Sequence, residues 1–155
     1  MKYKKSGLLD VGKVSKLLVK GFNIGSSKEG KEIFLKERKR DTFIIAEENG
    51  QLHGLISWGI RGVPKHQLVR IARICIVNSK KKNEFAIELL REATQEADKF
   101  FKKKNLKLRK MYAMVRSTNK KLKDFYKKMG FVEEAKLKDH YYKGKDEFIF
   151  SLFFE

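Results

Sequence analysis

At 155 residues the chain has room for one domain with a sizeable apolar core, and 41% hydrophobic with 12% aromatic residues is too rich in core-forming side chains for a disordered tail. No apolar run is long enough to cross a bilayer, Met1-Lys2-Tyr3-Lys4-Lys5 has no apolar signal stretch behind it, and a single cysteine, Cys75, excludes an internal disulfide and a cysteine-built zinc site. The charge is the loudest feature: 37 Lys and Arg against 19 Asp and Glu give +18, and Lys99 to Lys128 alone holds 13 basic residues against one acid, a net +12.

These priors predict a soluble, cytoplasmic protein with no membrane partner and no metal. Most of the basic residues are Lys, a diffuse point charge, rather than Arg, whose planar fork suits shaped phosphate recognition. The field therefore reads either as a solvated lysine-rich surface or as an attractor of polyanions such as nucleic acid or a phosphorylated cofactor.

In chain order, Lys2 to Lys5 is a weak first strand. Asp10 is placed as the N-cap of a helix carrying Val14, Leu17, Leu18 and Phe22 at helical spacing, and Ser26-Ser27 as the cap of a second with Ile33, Phe34 and the charged run Lys36 to Arg40. Thr42 to Ala46, the turn Glu48-Asn49-Gly50 and His53 to Ile60 read as a hairpin, ended by Gly62-Val63-Pro64. Leu68 to Val77 is apolar enough for a central strand. A long helix follows, with Ala86, Leu89, Leu90, Ala93, Ala97, Phe100 and Phe101 on one face. Leu108 to Val115 is a strand. Asn119 opens a short helix with Leu122, Phe125, Tyr126 and Met129 on its apolar stripe, stopped by Gly130. Strands near Phe131 to Leu137 and Glu147 to Phe154 close the chain. One proline and no Gly- or Ser/Pro-rich stretch leave no linker, so residues 1–155 are read as a single domain. The order β-α-α-β-β-β-α-β-α-β-β predicts an α/β (α+β) fold, with a mixed sheet of six to seven strands flanked by about four helices.

Two segments sharpen this. Ile74-Cys75-Ile76-Val77-Asn78-Ser79-Lys80-Lys81-Lys82-Asn83-Glu84-Phe85-Ala86 resembles the strand, pyrophosphate loop and helix of the GNAT superfamily of N-acetyltransferases, whose loop runs Gln/Arg-x-x-Gly-x-Gly/Ala. Lys81 falls on the Gln/Arg, Glu84 on the first glycine and Ala86 on the Gly/Ala. Asn119 to Phe131 is similar to the family's Asn-x-x-Ala-x-x-Phe-Tyr-x-x-x-Gly-Phe segment at every anchor except Leu122, which replaces an alanine. The topology resembles the family's over the whole chain.

What the resemblance implies is an enzyme that uses acetyl-coenzyme A as co-substrate and acetylates an amine, with a protein or peptide amine among the candidate acceptors, by direct attack. It implies that Ile74 and Ile76 present backbone groups to the pantetheine arm and the thioester, and that Lys81, Lys82, Asn83, Glu84, Phe85 and Ala86 form the diphosphate loop. Independently, a strand-to-helix loop offers unpaired N–H groups and a positive dipole end to phosphate, and lysines add charge. Glu84 is the departure: a negative side chain stands where a glycine lets backbone approach phosphate, although an acid also suits a helix's first turn.

Tyr126 reads on spacing as a core tyrosine with its hydroxyl at the rim. The resemblance implies the general acid that protonates the departing thiolate, with nearby lysines expected to lower its pKa. Asn119 is an N-cap and, by resemblance, a cofactor or water contact. No carboxylate occurs in Arg70 to Val77, so the base is open among His53, His66, Glu47, Glu48 and His140. Cys75, in an apolar strand, reads as a small buried hydrophobe rather than a nucleophile. Asp139 to Asp146, with Tyr141 and Tyr142, looks like the tyrosine-bearing hairpin of members that acetylate protein N-termini. Against this stands a catalytically silent module of the same fold, binding nucleic acid or ribonucleoprotein through Lys99–Lys128. Its weakness is that Phe125 and Tyr126 point inward by spacing, where a stacking platform needs exposed rings. A monomer or homodimer is expected, with the apolar tail Phe148 to Phe154 as an edge to cover.

Overall fold

The computed structural model of the chain describes residues 1–77 and 79–155; Asn78, inside the strand–loop–helix segment, lies outside the described residues. Its strands are β1 (Lys2–Lys5), β2 (Thr42–Glu48), β3 (Gln51–Ile60), β4 (Leu68–Ile76), β5 (Lys110–Arg116), β6 (Val132–Tyr142) and β7 (Lys145–Phe153). Its helices are α1 (Val11–Gly21), α2 (Ser27–Glu37), α3 (Lys82–Lys102) and α4 (Lys120–Lys128). The strands form a seven-stranded sheet in the order β1-β2-β3-β4-β5-β7-β6. It is mixed: β4 and β5 run parallel, while β1–β2, β2–β3, β5–β7 and β6–β7 are antiparallel. This is the α/β architecture expected from the element order.

Two compact units make up the chain, one of Met1–Gly59 with Ala72–Lys99 and one of Ile60–Ile71 with Phe100–Glu155. In the first, alternation along β2 and β3 sends Phe43, Ile45 and Leu55 to one face, where Val14, Leu17 and Leu18 of α1 and Phe34 of α2 meet them. Phe34 and Phe43 pack edge to face with centroids 5.0 Å apart. Ile44, Ile56, Trp58 and Gly54 occupy the opposite face, toward α3, where Trp58 Nε1 donates to Glu96 at 3.2 Å. The hairpin turns on Asn49 and Gly50 with φ of 52° and 75°, the paired left-handed residues of a tight turn.

In the second unit Met111, Ala113 and Val115 of β5 share a buried face with Val69 and Ile71 of β4 and Phe150 of β7. Onto this face α4 lays Tyr126, whose ring lies 4.9 Å from Phe131 and 6.5 Å from Phe150. Gly130, at φ 89°, lets the chain leave α4 directly into β6.

Local differences from the sequence reading have physical causes. Asp10 precedes α1 but makes no side-chain cap; its carboxylate accepts from Gly7 N at 2.7 Å and closes a short 3-10 turn instead. Ser26 does cap α2, accepting from Glu29 N at 3.1 Å, and Glu29 returns the contact to Gly25 N. β6 runs on to Tyr142, so His140, Tyr141 and Tyr142 end a strand rather than form a loop; the turn is Lys143-Gly144, where Gly144 has φ 77°.

Candidate functional site

Residues expected to meet the cofactor fall into both units, and each group is described within its own. In the first, Ile74 and Ile76 end β4 and Lys82 opens α3. Ser79 to Glu84 line an open hollow of about 360 Å³. The first backbone bond into the helix is Phe85 N to Lys81 O at 3.1 Å, so the amides of the first turn stand before any intrahelical partner. Lys81 N is taken by Ser79 Oγ at 3.0 Å, which shapes the loop and withdraws one donor. Lys80, Lys81 and Lys82 are exposed on its rim. The donor set of first-turn amides and lysines fits a diphosphate; Phe85 and Ala86 are partly buried behind it.

Glu84 is exposed and lines this hollow and a neighbouring one of about 340 Å³ formed with Tyr3, Phe85, Ile87 and Glu88. Burial first, and then the charges of Glu88, Glu92 and Glu84, push the Tyr3 hydroxyl above its ordinary pKa. Glu84 thus begins an acidic stripe at four-residue steps, continued by Glu88, Glu92 and Glu96 along α3.

β3 approaches the end of β4 closely because residue 54 is glycine. A Cβ there would lie 2.7 Å from the Cys75 carbonyl oxygen and 2.4 Å from Ile76 Cδ1. Val77 N donates to His53 O at 2.8 Å. The Cys75 side chain fills the space against Gly21, and desolvation pushes its thiol up to about 12, an inert group in keeping with the sequence reading.

In the second unit Tyr126 is only 1% exposed, among Phe125, Phe131 and Phe150. Burial pushes its hydroxyl above the ordinary tyrosine pKa, where the lysine-rich helix had suggested a lowering. The lysines at 120, 121, 127 and 128 are solvated while the ring is desolvated, and desolvation wins. Asn119 Oδ1 accepts from Leu122 N at 3.2 Å, the N-cap geometry read from sequence.

Among the candidate bases, Glu47 is engaged by Lys13 at 3.0 Å and Lys4 at 3.3 Å, which hold its carboxyl below the ordinary value. His66 Nδ1 faces Val63 N within its own turn at 3.4 Å. His140 is exposed and packs edge to face on Tyr141. Glu48 is exposed at the end of β2. His53 differs: its ring meets Phe85 at 6.5 Å, and its buried Nδ1 has no hydrogen-bond partner among the described residues.

Tyr141 and Tyr142 are 54% and 55% exposed. Tyr141 Oη reaches Met114 Sδ at 3.8 Å, and Arg116 lies 5.3 Å over the Tyr142 ring.

Two residues escaped the sequence reading. β4 carries two arginines in an otherwise apolar run. Arg73 Nε binds both oxygens of Glu37, at 2.9 and 3.1 Å, and stacks over Phe22. Arg70 Nε is buried with no hydrogen-bond partner among the described residues. The signal was present in Leu68-Val69-Arg70-Ile71-Ala72-Arg73, a strand too apolar to carry unpaired cations without a reason.

Comparison with known proteins gives one family. A family model described as acetyltransferase (GNAT) domain matches residues 22–141. No curated protein matches the sequence. Among solved structures, a protein of Streptococcus mutans UA159 is 21% identical, with all of both chains covered and a TM-score of 0.80. The ribosomal-protein-S18-alanine N-acetyltransferase of Escherichia coli is 14% identical over 97% of this chain and 92% of that one, at 0.78. The aminoglycoside 6'-N-acetyltransferase of Enterococcus faecium is 13% identical over 99% and 97%, at 0.79. At these identities the structures share the fold. No helix among the described residues is long and apolar enough to cross a membrane, and none of their His, Cys, Asp and Glu side chains group to hold a metal ion.

Proposed function

Because the chain belongs to the GNAT acetyltransferase family, we propose that it moves the acetyl group of acetyl-coenzyme A to an amine acceptor, with residues 1–155 acting as one catalytic domain. The observation that carries this reading is the lysine-rimmed hollow at the start of α3, where first-turn amides and Lys80 to Lys82 complement a diphosphate. Lys81, Lys82 and Asn83 line that cradle, with Phe85 and Ala86 partly buried behind it. Glu84 belongs to its rim, and the backbone of Ile74 and Ile76 supports the pantetheine arm and polarises the thioester carbonyl. Asn119 fixes the start of α4 and with it the position of Tyr126.

Acetyl-coenzyme A supplies an activated acyl group, and the acceptor nitrogen attacks it directly. The new C–N bond forms as the C–S bond breaks, the nitrogen passes its proton to solvent water, and the leaving sulfur gains one. Tyr126 supplies that second proton. Its buried hydroxyl holds a proton throughout the neutral range, and it can release that proton only to a base as near and strong as a thiolate. Cys75 takes no part, since a thiol with a pKa of about 12 is protonated at neutral pH and forms no acyl-enzyme.

Calorimetry with acetyl-coenzyme A on nucleic-acid-free protein tests the reading. Micromolar binding, weakened by dephospho-coenzyme A or by loop substitutions, is the expected result; no binding refutes it. The second unit has 19 Lys and Arg against 7 Asp and Glu, a net +12 of the total +18, which favours a nucleic-acid partner as the alternative role. Against that, Tyr126 is buried and Phe125 partly so, which leaves the lysine-rich helix without stacking rings. RNA binding that falls steeply with salt, in protein that ignores acetyl-coenzyme A, would favour the alternative.

A further inference from the structure

We propose that the amine acceptor carries a carboxylate and that Arg70 receives it; this deepens the acetyl-transfer reading and rests on it. Arg70 pairs in register with Tyr112 of β5, Tyr112 with Ser151 of β7, and Arg116 with Glu147. These residues share one face of the strands of the second unit. The other face is its core, with Val69, Ile71, Met111, Ala113 and Phe150 all buried. On the first face stand both of this unit's buried side-chain polar atoms that lack a hydrogen-bond partner among the described residues, Arg70 Nε and Glu147 Oε2.

A guanidinium N–H removed from water and left unpaired is costly, and folded proteins seldom keep one without a ligand or water to fill it. Of the acids on this face, Glu134 is held by hydrogen bonds and Glu147 by an ion pair only. Glu134 binds Lys110 at 2.6 Å and accepts from the Ser151 hydroxyl, and these contacts hold its carboxyl below the ordinary value. Glu147 has Arg116 Nε at 3.8 Å, an ion-pair distance too long for a hydrogen bond. The contrast with Arg73 is instructive. Three residues along the same strand, that arginine has been given a carboxylate of the chain's own, Glu37. Arg70 has been given none, yet it has the same planar fork, which matches a carboxylate better than any other group. The +12 charge of the unit draws anions toward it.

The test uses product-like probes on the whole chain, followed by NMR amide shifts at Arg70 and Tyr112. N-acetylalanine is compared with N-acetylalaninamide, and acetyl-Ala-Glu-Ala-amide with acetyl-Ala-Gln-Ala-amide. The acid of at least one pair should bind tenfold or more tightly than its neutral twin, and which pair does so separates a free amino acid from an acidic peptide. Arg70→Gln should erase the preference and Arg70→Lys should keep part of it. Both variants should melt no lower than the parent, since the side chain has no hydrogen-bond partner among the described residues to lose. Equal binding of acid and neutral twin, no binding of either acid, or a preference that survives Arg70→Gln overturns the proposal. Calorimetry with acetyl-coenzyme A on the same samples separates the two readings. Cofactor binding without acid preference removes this inference alone. Acid preference without cofactor binding leaves Arg70 as a carboxylate site and removes acetyl transfer.

Discussion

Gly54→Ala is the substitution whose cost can be worked most directly from the structure. The added methyl would sit 2.4 Å from Ile76 Cδ1, 3.3 Å from Leu89 Cδ1 and 2.7 Å from the Cys75 carbonyl oxygen. The two methyls end flexible side chains and can turn away; the carbonyl is backbone and cannot. Restoring an ordinary carbon–oxygen contact requires β3 and the end of β4 to part by roughly 0.5 Å in a core packed like a solid. Overpacking of this kind costs about 1–3 kcal/mol, and the lower entropy of an unfolded alanine returns about 0.4–1 kcal/mol. The net loss of about 1–2 kcal/mol lowers Tm by roughly 2–8 °C for a chain of this size. Because Cys75 lies between Ile74 and Ile76, the same displacement should weaken acetyl-coenzyme A binding. Thermal unfolding followed by circular dichroism and cofactor calorimetry read the two effects. Gly12→Ala is the control: a Cβ there meets nothing within 4 Å, and the residue lies within α1, so it should melt at or above the parent. A Gly54→Ala protein as stable as the parent, with unchanged cofactor affinity, would show that the strand spacing yields freely and would refute the argument.

Tyr126→Phe should lower turnover by about a hundredfold or more while leaving acetyl-coenzyme A affinity unchanged; equal turnover at the pH optimum removes Tyr126 as the acid. Burial raises this hydroxyl above its unfolded value of 10.0, so its stabilising contribution is complete below pH 10 and is lost as pH climbs toward the folded pKa. A turnover limb below pH 9 that disappears in Tyr126→Phe would contradict this. Glu84→Gln should tighten acetyl-coenzyme A binding by about threefold at physiological ionic strength and by more at low salt, as a solvent-screened repulsion requires; titrations insensitive to both the substitution and salt would place the carboxylate away from the phosphates. Phe34→Ala removes a ring with no exposed surface and its edge contact with Phe43, and should cost about 3–5 kcal/mol in urea unfolding. A loss under 1 kcal/mol would mean that the helix pair repacks.

The order of elements was legible because each carries its own periodicity. β5 alternates Met111, Ala113 and Val115 against Lys110, Tyr112, Met114 and Arg116, and α3 repeats its apolar residues at steps of three and four. The loop-to-helix junction at Lys80 to Glu84 and the Asn119 cap were legible because local sequence determines them. Other features depend on contacts between residues far apart in the chain, which no local window contains. Asp10 does stand at the N-cap position of α1, but its carboxylate is drawn to a competing donor, Gly7 N, which precedes it. The direction of the Tyr126 shift was misread because charge is visible in sequence and desolvation is not. The first comes from neighbours on one helix, the second from Phe131 and Phe150 beyond it. Arg70 and Arg73 look alike in a sequence; only the fold reveals that Glu37 reaches one of them.

The state of Cys75 has a practical consequence. It is the chain's one thiol, and a pKa near 12 against an ordinary 9.0 leaves it about a thousandfold poorer in thiolate at neutral pH. The native protein is therefore already a quiet background for site-directed labelling. A cysteine introduced at an exposed position such as Tyr141 would take a maleimide dye or spin label while residue 75 stays dark. A probe beside the proposed acceptor face could thus be installed without first rebuilding the core to remove a competing sulfur.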